Sequence, residues 1–528
     1  MKNTKTLFTA GMTALLCVGA LTGCKKNGAE DKYDKSGRLI LNVKNVYFDT
    51  WDGNDNYTEF LNEKFGVSIK PTNYDYADWD ESVNSSIKGK NLKDMLHFNL
   101  KAYNFGSTYE KWVDQEIIKA LPDDMSKWPN LKAMLDSISN LDALKFDGKL
   151  YCIPVANDIS NPNKDFSNFT YVYRRDWVKK IDEENKGKTG YPVYRENDIY
   201  TFEEFENLLE AFKNNPENDK CSPLVDEEWG FPSVTNFYKD VPHCFAKDEN
   251  GKAINAFTSS KYEEGLNKAR EFVDKGYYSE DQFLFTASKA TEQYTAGNAA
   301  VLYDNFNYVN YAKLRKAMDN SDDATAFLKI KDKNGNYALE GTENWFSATM
   351  FNYDISEEKM FKILDIMDYL LSEEGTRLAI YGLEGYDYTM MNGEVVLGKG
   401  WEKDRYGKYG PKTNGAKYLR YMATLGNDTK SFDPYTEMDV YDAINSWSEE
   451  MKQAKAAGKL RVVKEPADID WMSTETKNDK YEGLLFDANV SALQFCYHKL
   501  SDIAAYEKTF DTSSWRKVLQ EINAKLGK

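Results

Sequence analysis

The chain has 528 residues, 29% of them charged and 41% hydrophobic, with a formal net charge of −17 at pH 7. A surface this acidic repels phosphate backbones and anionic headgroups, which excludes nucleic-acid binding and a polybasic membrane footprint. The length also exceeds what one hydrophobic core serves, so two lobes are expected.

Lys2 and Lys5 precede an apolar stretch over 7–20 that is too short to span a bilayer and reads as an export signal. Leu21-Thr22-Gly23-Cys24 follows it as a bacterial lipobox. Cleavage after Gly23 would leave Cys24 to carry several acyl chains, enough for stable anchoring. Residues 1–23 are therefore assigned to the signal and 24–37 to a polar tether. Loss of Lys2 and Lys5 takes the charge from −17 to −19. No later apolar run approaches a membrane span, so Cys24 alone is expected to hold the chain at the outer face of the cell membrane.

Beyond the tether, strand and helix alternate. A strand over 39–48, a helix over 57–65 stopped by Gly66, a strand over 67–70, a helix over 79–88 and a strand over 94–98 predict a βαβαβ unit with a parallel sheet. Ligands approach such sheets at the carboxyl ends of the strands. That directs attention to the loops 49–56, 73–78 and 99–105, which hold Trp51, Asp52, Asn73, Tyr74, Asn99 and Tyr103. A second unit begins with a strand over 171–174 and a helix over 202–212, with Thr201 and Glu204 placed for a capping box. Asp248-Glu249-Asn250-Gly251 and Asp332-Lys333-Asn334-Gly335 signal hairpin turns and lack the ligands of a calcium loop. Amphipathic helices are predicted over 262–275, ended by Gly276, and over 357–371.

Catalytic motifs are sparse. His97, His243 and His498 are far apart and fit no zinc spacing, and a nucleophile elbow, P-loop and dinucleotide fingerprint are absent. Lys188-Thr189-Gly190 and three Ser-x-x-Lys matches, at 85–88, 356–359 and 514–517, lack the Ser-Asp-Asn box that an acyl-enzyme set requires. A glycoside hydrolase needs only two carboxylates about 5 to 9.5 Å apart, so composition leaves that reading open. Neither metal nor cofactor is expected. Cys152, Cys221, Cys244 and Cys496 remain after cleavage. Either Cys221 and Cys244 pair, worth roughly 3 kcal/mol on the chain-entropy model, or all four are buried thiols.

Aromatic residues make up 14% of this hydrophilic chain, and aromatic faces with Asp, Asn and Arg partners are the residue types of a carbohydrate site. Asp147-Gly148-Lys149-Leu150-Tyr151-Cys152-Ile153-Pro154 and Tyr171-Val172-Tyr173-Arg174-Arg175-Asp176-Trp177 resemble a track found in extracellular solute-binding proteins of ABC importers. Thr201-Phe202-Glu203-Glu204-Phe205, the stretch 260–278, Ala296-Gly297-Asn298-Ala299-Ala300-Val301-Leu302 and the stretch 364–388, ending in Tyr381-Gly382-Leu383-Glu384-Gly385-Tyr386-Asp387-Tyr388, follow in the same order. The last block resembles the larger lipoprotein branch associated with complex sugars. The likeness covers about 38–395 well and the remainder weakly. One departure is that 215–221 lacks the acidic, glycine-bearing loop common in that branch, so a bound calcium is not carried over.

The resemblance implies an α/β, two-lobe type 2 periplasmic-binding fold, each lobe a mostly parallel sheet flanked by helices, closing by hinge motion on ligand held between the lobes. Lobe one is expected over 38–155 and 328–385, lobe two over 160–325 and 390–528, with crossings at 155–158 and 345–348. The implied stacking residues are Trp51, Tyr103, Trp229, Phe231, Phe306 and Tyr388. The implied polar partners are Asp52, Asn73, Asn99, Asn236, Asp304, Asn305 and Glu384. The implied function is capture of a carbohydrate, an oligosaccharide in the first instance, and delivery by a monomer to ABC permease subunits without chemistry on the ligand. A lipid-anchored glycoside hydrolase, and a glycan- or peptide-binding sensor or adhesin on the same fold, are the alternatives.

Overall fold

The computed structural model describes residues 32–527 except 49, 75–77, 90, 100–104, 139–140, 157–165, 189, 215–220, 228–230, 283–284, 343–344, 399–415, 424–437, 471 and 473. The export signal, Cys24 and most of the tether lie outside the described residues.

The chain opens with β1 (Leu39–Lys44), whose alternate residues Leu39, Leu41 and Val43 point into the core. Asp55 then caps the Asn56–Phe65 helix by accepting from the amides of Tyr57 and Thr58, and Gly66 ends it in the left-handed conformation that a side chain would disfavour. β2 (Val67–Thr72) and β3 (Met95–Phe98) pair in parallel with β1 on its two sides. A two-residue-stranded hairpin of β4 (Lys145–Phe146) and β5 (Lys149–Leu150) leads into β6 (Cys152–Ala156).

After 157–165 the second sheet is laid down from β7 (Phe169–Tyr173), β8 (Ile199–Thr201), β9 (Ser222–Asp226), β12 (Ala299–Asn305) and β13 (Ala326–Lys331), in the order β8-β13-β7-β12-β9. Between them β10 (Phe245–Lys247) and β11 (Ala253–Asn255) form a hairpin around the Asp248–Gly251 turn, as the sequence predicts. β7 is antiparallel to both its neighbours, while β9 follows β12 and β8 follows β13 in parallel. β14 (Tyr337–Glu340) runs out of this sheet towards β15 (Trp345–Phe351), which enters the first sheet antiparallel between β3 and β6 to complete the order β2-β1-β3-β15-β6. β16 (Tyr388–Met391) and β17 (Glu394–Leu397) make a small hairpin, and β18 (Leu460–Val463) pairs in parallel with β14.

Each sheet has its own core. The first buries Leu41, Val43, Ile69 and Met350 with Trp345 and the helix residues Ile363, Met367, Leu419 and Met422. In the second sheet the period-two alternation splits β7, β12 and β13 between two cores: Tyr171, Val301 and Leu328 on one face, Val172, Leu302 and Phe327 on the other. Helices cover both faces, as a sheet with few polar interior positions requires. Among the described residues no helix is long and apolar enough to cross a membrane.

Four expectations are corrected. β13 and β14 belong with the second lobe, because β13 is hydrogen-bonded to β7 and β8, so the chain returns to the first lobe only at Trp345 and not at 328. Residues 345–348, Val155 and Ala156 lie within strands of the first sheet, so the chain passes to the second lobe only after Ala156 and is back in the first at Trp345; 157–158 of the expected crossing lie outside the described residues. The first lobe extends past 385: the Ala416–Met422 helix packs Tyr418, Leu419 and Met422 into its core, and the Met438–Ala456 helix joins the second, which makes a third passage. Asp332-Lys333-Asn334-Gly335 forms its turn, with Asp332 Oδ1 accepting from the amides of Asn334 and Asn336, but β14 turns away to pair with β18, so no hairpin ladder forms. The four cysteines are separate buried thiols.

Candidate functional site

The strand directions fix which edges face each other. β6 leaves the first sheet at its carboxyl end and β15 enters at its amino end, so both passages meet the edge where β1, β2 and β3 also end. In the second sheet β7 starts at Phe169, directly after the first passage. β9, β12, β8 and β13 all end on that same side. The carboxyl ends of eight strands therefore border one cleft, the position in which α/β sheets bind ligands. The Phe105–Asp114 helix of the first lobe meets the Glu475–Cys496 helix of the second, a further contact between the lobes.

The first-lobe edge is a shelf of rings. Tyr47, in the short turn after β1, stacks on Tyr421 with centroids 4.7 Å apart and planes at 19°; both are half-buried. Beside them Trp79 lies over His97 at 4.7 Å, with Tyr47 5.5 Å from the same imidazole. The Trp79 indole donates to the Tyr74 hydroxyl at 2.9 Å and to the His97 carbonyl at 3.2 Å. His97 itself is fully buried on β3, with Nε2 2.9 Å from Ser347 Oγ on β15. Burial pushes its pKa down to about 3, so it is a neutral hydrogen-bonding group at every working pH. Lys44, the last residue of β1, holds its ammonium 4.8 Å over the Tyr74 ring, and burial lowers its pKa.

The second-lobe edge is organised by Asp226, the last residue of β9. It is fully buried and accepts from the Ser233 amide at 2.8 Å, the Ser233 hydroxyl at 2.7 Å and the Tyr278 hydroxyl at 2.8 Å. Gln282 clasps its backbone from both sides, donating to the carbonyl and accepting from the amide. Burial pushes the carboxyl up to about 7 against the pull of those donors. The loop so anchored carries Phe231, set edge-on to Tyr278 at 5.2 Å and stacked on Tyr497 at 6.3 Å. Further along it Asn236 Nδ2 donates to the Tyr303 hydroxyl at 2.8 Å, and Tyr303 packs on Tyr171 at 4.7 Å and Phe169 at 5.9 Å. Arg461 of β18 grips the end of the loop by donating to the carbonyls of Asn236 and Lys239. Lys239 in turn pairs with Glu340 at 3.0 Å, one residue before the second passage. Although burial opposes it, Lys239 and His243 hold the Glu340 carboxyl below its ordinary pKa.

The anticipated residues divide three ways. Trp51 is in the first-lobe core: Tyr418 covers one face at 5.7 Å, Phe48 meets it edge-on at 4.7 Å, and its indole N–H is shared between Asp55 and Thr58. Phe306 is 2% exposed and edge-on to Tyr311 and Phe327, and Tyr388 is 3% exposed near Tyr381. These three are packing residues, a correction to the stacking role. Asn236 is spent on Tyr303, and Asp304, buried and pushed up to about 6 by burial, accepts from its neighbour Asn305's amide. At the cleft edge with exposed or half-exposed side chains are Asp52, Asn73, Asn99, Phe231 and Asn305, and Glu384 is exposed on the turn whose Gly382 abuts Tyr57. Tyr103 and Trp229 lie outside the described residues. Sequence reasoning misses Tyr47 and Tyr421: the first falls in the predicted strand over 39–48, and the second lies in the stretch where the resemblance fades. Among the described residues no group of three or more His, Cys, Asp or Glu side chains could hold a metal ion.

No family profile matches the chain. A curated relative, Lipoprotein LipO of Bacillus subtilis strain 168, is 21% identical over 238 residues, which are 42% of this chain and 44% of that protein. The match thus spans under half the length of the relative. Among solved structures, an extracellular solute-binding protein from Bifidobacterium longum subsp. infantis superposes with a TM-score of 0.64 at 14% identity, covering 93% of this chain and all of that one. Alginate-binding protein AlgQ2, solved without calcium, gives 0.63 at 16% identity over 95% of this chain and all of that one. The N-glycan transport solute-binding protein NgtS from Streptococcus pneumoniae gives 0.58 at 14% identity, over 92% and 98%. The chain has the two-lobe fold of these solute-binding proteins.

Proposed function

We propose that this chain is a solute-binding protein, lipid-anchored at the outer face of the cell membrane, that captures an oligosaccharide between its lobes and passes it unaltered to an ABC permease. The observation that carries the reading is the opposition of two aromatic edges, half-buried Tyr47 and Tyr421 on one lobe with buried Trp79 behind them, and Phe231 on the other, at the ends of eight strands. Rings of this kind take the C–H faces of pyranoses, and the amides and carboxylates of Asn73, Asn99, Asp52 and Asn305 at the same edges supply hydroxyl partners. The carbohydrate-binding neighbours on this fold, the lipobox at Cys24 and the similarity to a lipoprotein support it. Three passages between lobes permit hinge closure, which ligand drives by its differential affinity for the closed form.

The test is a thermal-shift screen of the mature chain against oligosaccharides of several linkages, with short peptides as controls and product analysis by chromatography. A ligand at 100 times its Kd is expected to add about 2.7 kcal/mol of stability, and the sugar should be recovered intact. Hydrolysis would turn the reading into a glycosidase, and a response to peptides alone would overturn the carbohydrate assignment.

A further inference from the structure

The second-lobe edge of the cleft does not end at Phe231. Tyr497, on which Phe231 stacks at 6.3 Å, closes the Glu475–Cys496 helix, with its amide still bonded to the Leu493 carbonyl. The inner side of that helix buries Leu484, Leu485, Ala488, Ala492 and Phe495 in the lobe and packs on the helices Ser260–Asp274 and Ser513–Leu526. The Phe105–Asp114 helix of the first lobe also meets it, and with the inner side taken, the outer side is the one turned to the first lobe.

Phe486 is on that outer side. It is 68% exposed, and among the described residues it is the one exposed phenylalanine. Eleven positions separate it from Tyr497, close to three turns of 3.6 residues, so the two rings share one stripe of the helix with half-buried Val490 and Leu493 between them. At 1.5 Å per residue the stripe runs about 16 Å. Asp487, Asn489 and Gln494 flank it with exposed or half-exposed side chains, which supply the acceptors and donors that sugar hydroxyls need.

The lobes already touch at these helices while the Phe486 ring stays exposed, so the first lobe is not what covers it. A protein partner does not fit either. A stable interface takes about 800 Å² from each side, whereas here one ring is set among polar side chains. That arrangement suits the C–H face of one pyranose. The stripe is also longer than the roughly 4.5–7 Å between the centroids of a stacked pair, so a sugar seated on Phe231 does not reach Phe486, but a chain of sugars does. Resting on the reading of the cleft as an oligosaccharide site, we propose that Phe486 is a distal stacking subsite on the outer face of the Glu475–Cys496 helix, through which the protein selects long chains over short ones of the same glycan.

Calorimetric titration of the mature protein with cello-, malto-, manno- and xylo-oligosaccharides, each as a series from disaccharide to hexasaccharide, tests it. Phe486→Ala, Phe486→Trp and Tyr421→Ala accompany the wild type, with melting temperatures to show that each is folded. The expected result is a wild-type affinity that rises with length in one series. Phe486→Ala should lose roughly three- to tenfold on the longest chains, the effect of one ring contact, and nothing on the shortest chain that binds. Phe486→Trp should keep the gain with length, and Tyr421→Ala should weaken every length by the same factor. A wild-type affinity independent of length, a Phe486→Ala loss equal on short and long chains, or no loss at any length would overturn the distal subsite and leave the cleft reading standing. Binding by no series would overturn the cleft reading, and the subsite with it.

Discussion

Asp226→Asn tests whether the cleft loop is anchored by a carboxyl held partly in its neutral form. Burial raises the Asp226 pKa from 3.8 to about 7, so between those values the folded protein binds a proton that the unfolded chain releases. The sign follows. Stability from this group is fully present below about pH 4 and is lost as pH rises through 7. A shift of about 3 units at 1.36 kcal/mol each bounds the loss near 4 kcal/mol. Asparagine with its oxygen at the Oδ2 position still accepts from the Ser233 amide and the Tyr278 hydroxyl, and its Nδ2 at the Oδ1 position can donate to Ser233 Oγ, so the loop keeps its anchor without the charge. Urea unfolding of wild type and variant at pH 4.5, 6 and 7.5 gives the difference in which every other titrating group cancels. The variant should gain on the wild type across that interval by an amount of order 2–4 kcal/mol. A difference that stays flat with pH would refute the reasoning, since it would mean that Asp226 is ionised in the fold throughout.

Tyr421→Ala removes one ring of the Tyr47 stack and should weaken oligosaccharide binding about tenfold, roughly 1.4 kcal/mol, with little change in melting temperature, as read by calorimetric titration. Trp51→Phe should instead lower stability by about 1–3 kcal/mol, through loss of the indole N–H shared by Asp55 and Thr58 and of ring packing, and leave affinity within about twofold. Gly382→Ala forces a Cβ at φ +87° into Asp387 and to 2.9 Å from Tyr57, and should cost about 2–5 kcal/mol in thermal unfolding. Lys239→Met leaves Glu340 charged and half-buried, and should cost about 3 kcal/mol, with Lys239→Met plus Glu340→Gln recovering part of it in a double-mutant cycle.

The first lobe was legible where local signals suffice. The Asp55 cap, the Gly66 stop and the alternation of Leu39, Leu41 and Val43 determine β1, its helix and β2 with no reference to the rest of the chain. The Thr201–Glu204 capping box was readable for the same reason. What escaped was set by pairing over long separations. The lobe of β13 is not legible from its own pattern, because Phe327, Leu328 and Ile330 buried fit any two-faced sheet, and only its ladder to β7 says which. Trp51 looked like a binding residue because its loop follows a strand end. Tyr418, 367 positions later, is what covers it, and nothing in the spacing announces that contact. Tyr47 and Tyr421 meet by the same kind of distant closure.

The two edges of the cleft are held in different ways, and the difference bears on how ligand moves the lobes. On the first lobe the shelf is ring on ring, Tyr47 on Tyr421 and Trp79 on His97, within a single core. On the second, the loop from Asp226 to Lys239 is tied by polar bonds to β18 through Arg461 and to β14 through Glu340. β14 ends at Glu340, and Gly341, which bridges Phe166 at the other passage, starts the return to the first lobe. A ligand pressing on Phe231 or the backbone near Asn236 therefore acts on a body that is continuous with two of the three passages, whereas contact with the stacked shelf acts on a body anchored by dispersion. The proposed hinge closure would need a rigid lever on at least one side, and the ion-paired loop of the second lobe is the element built to be one.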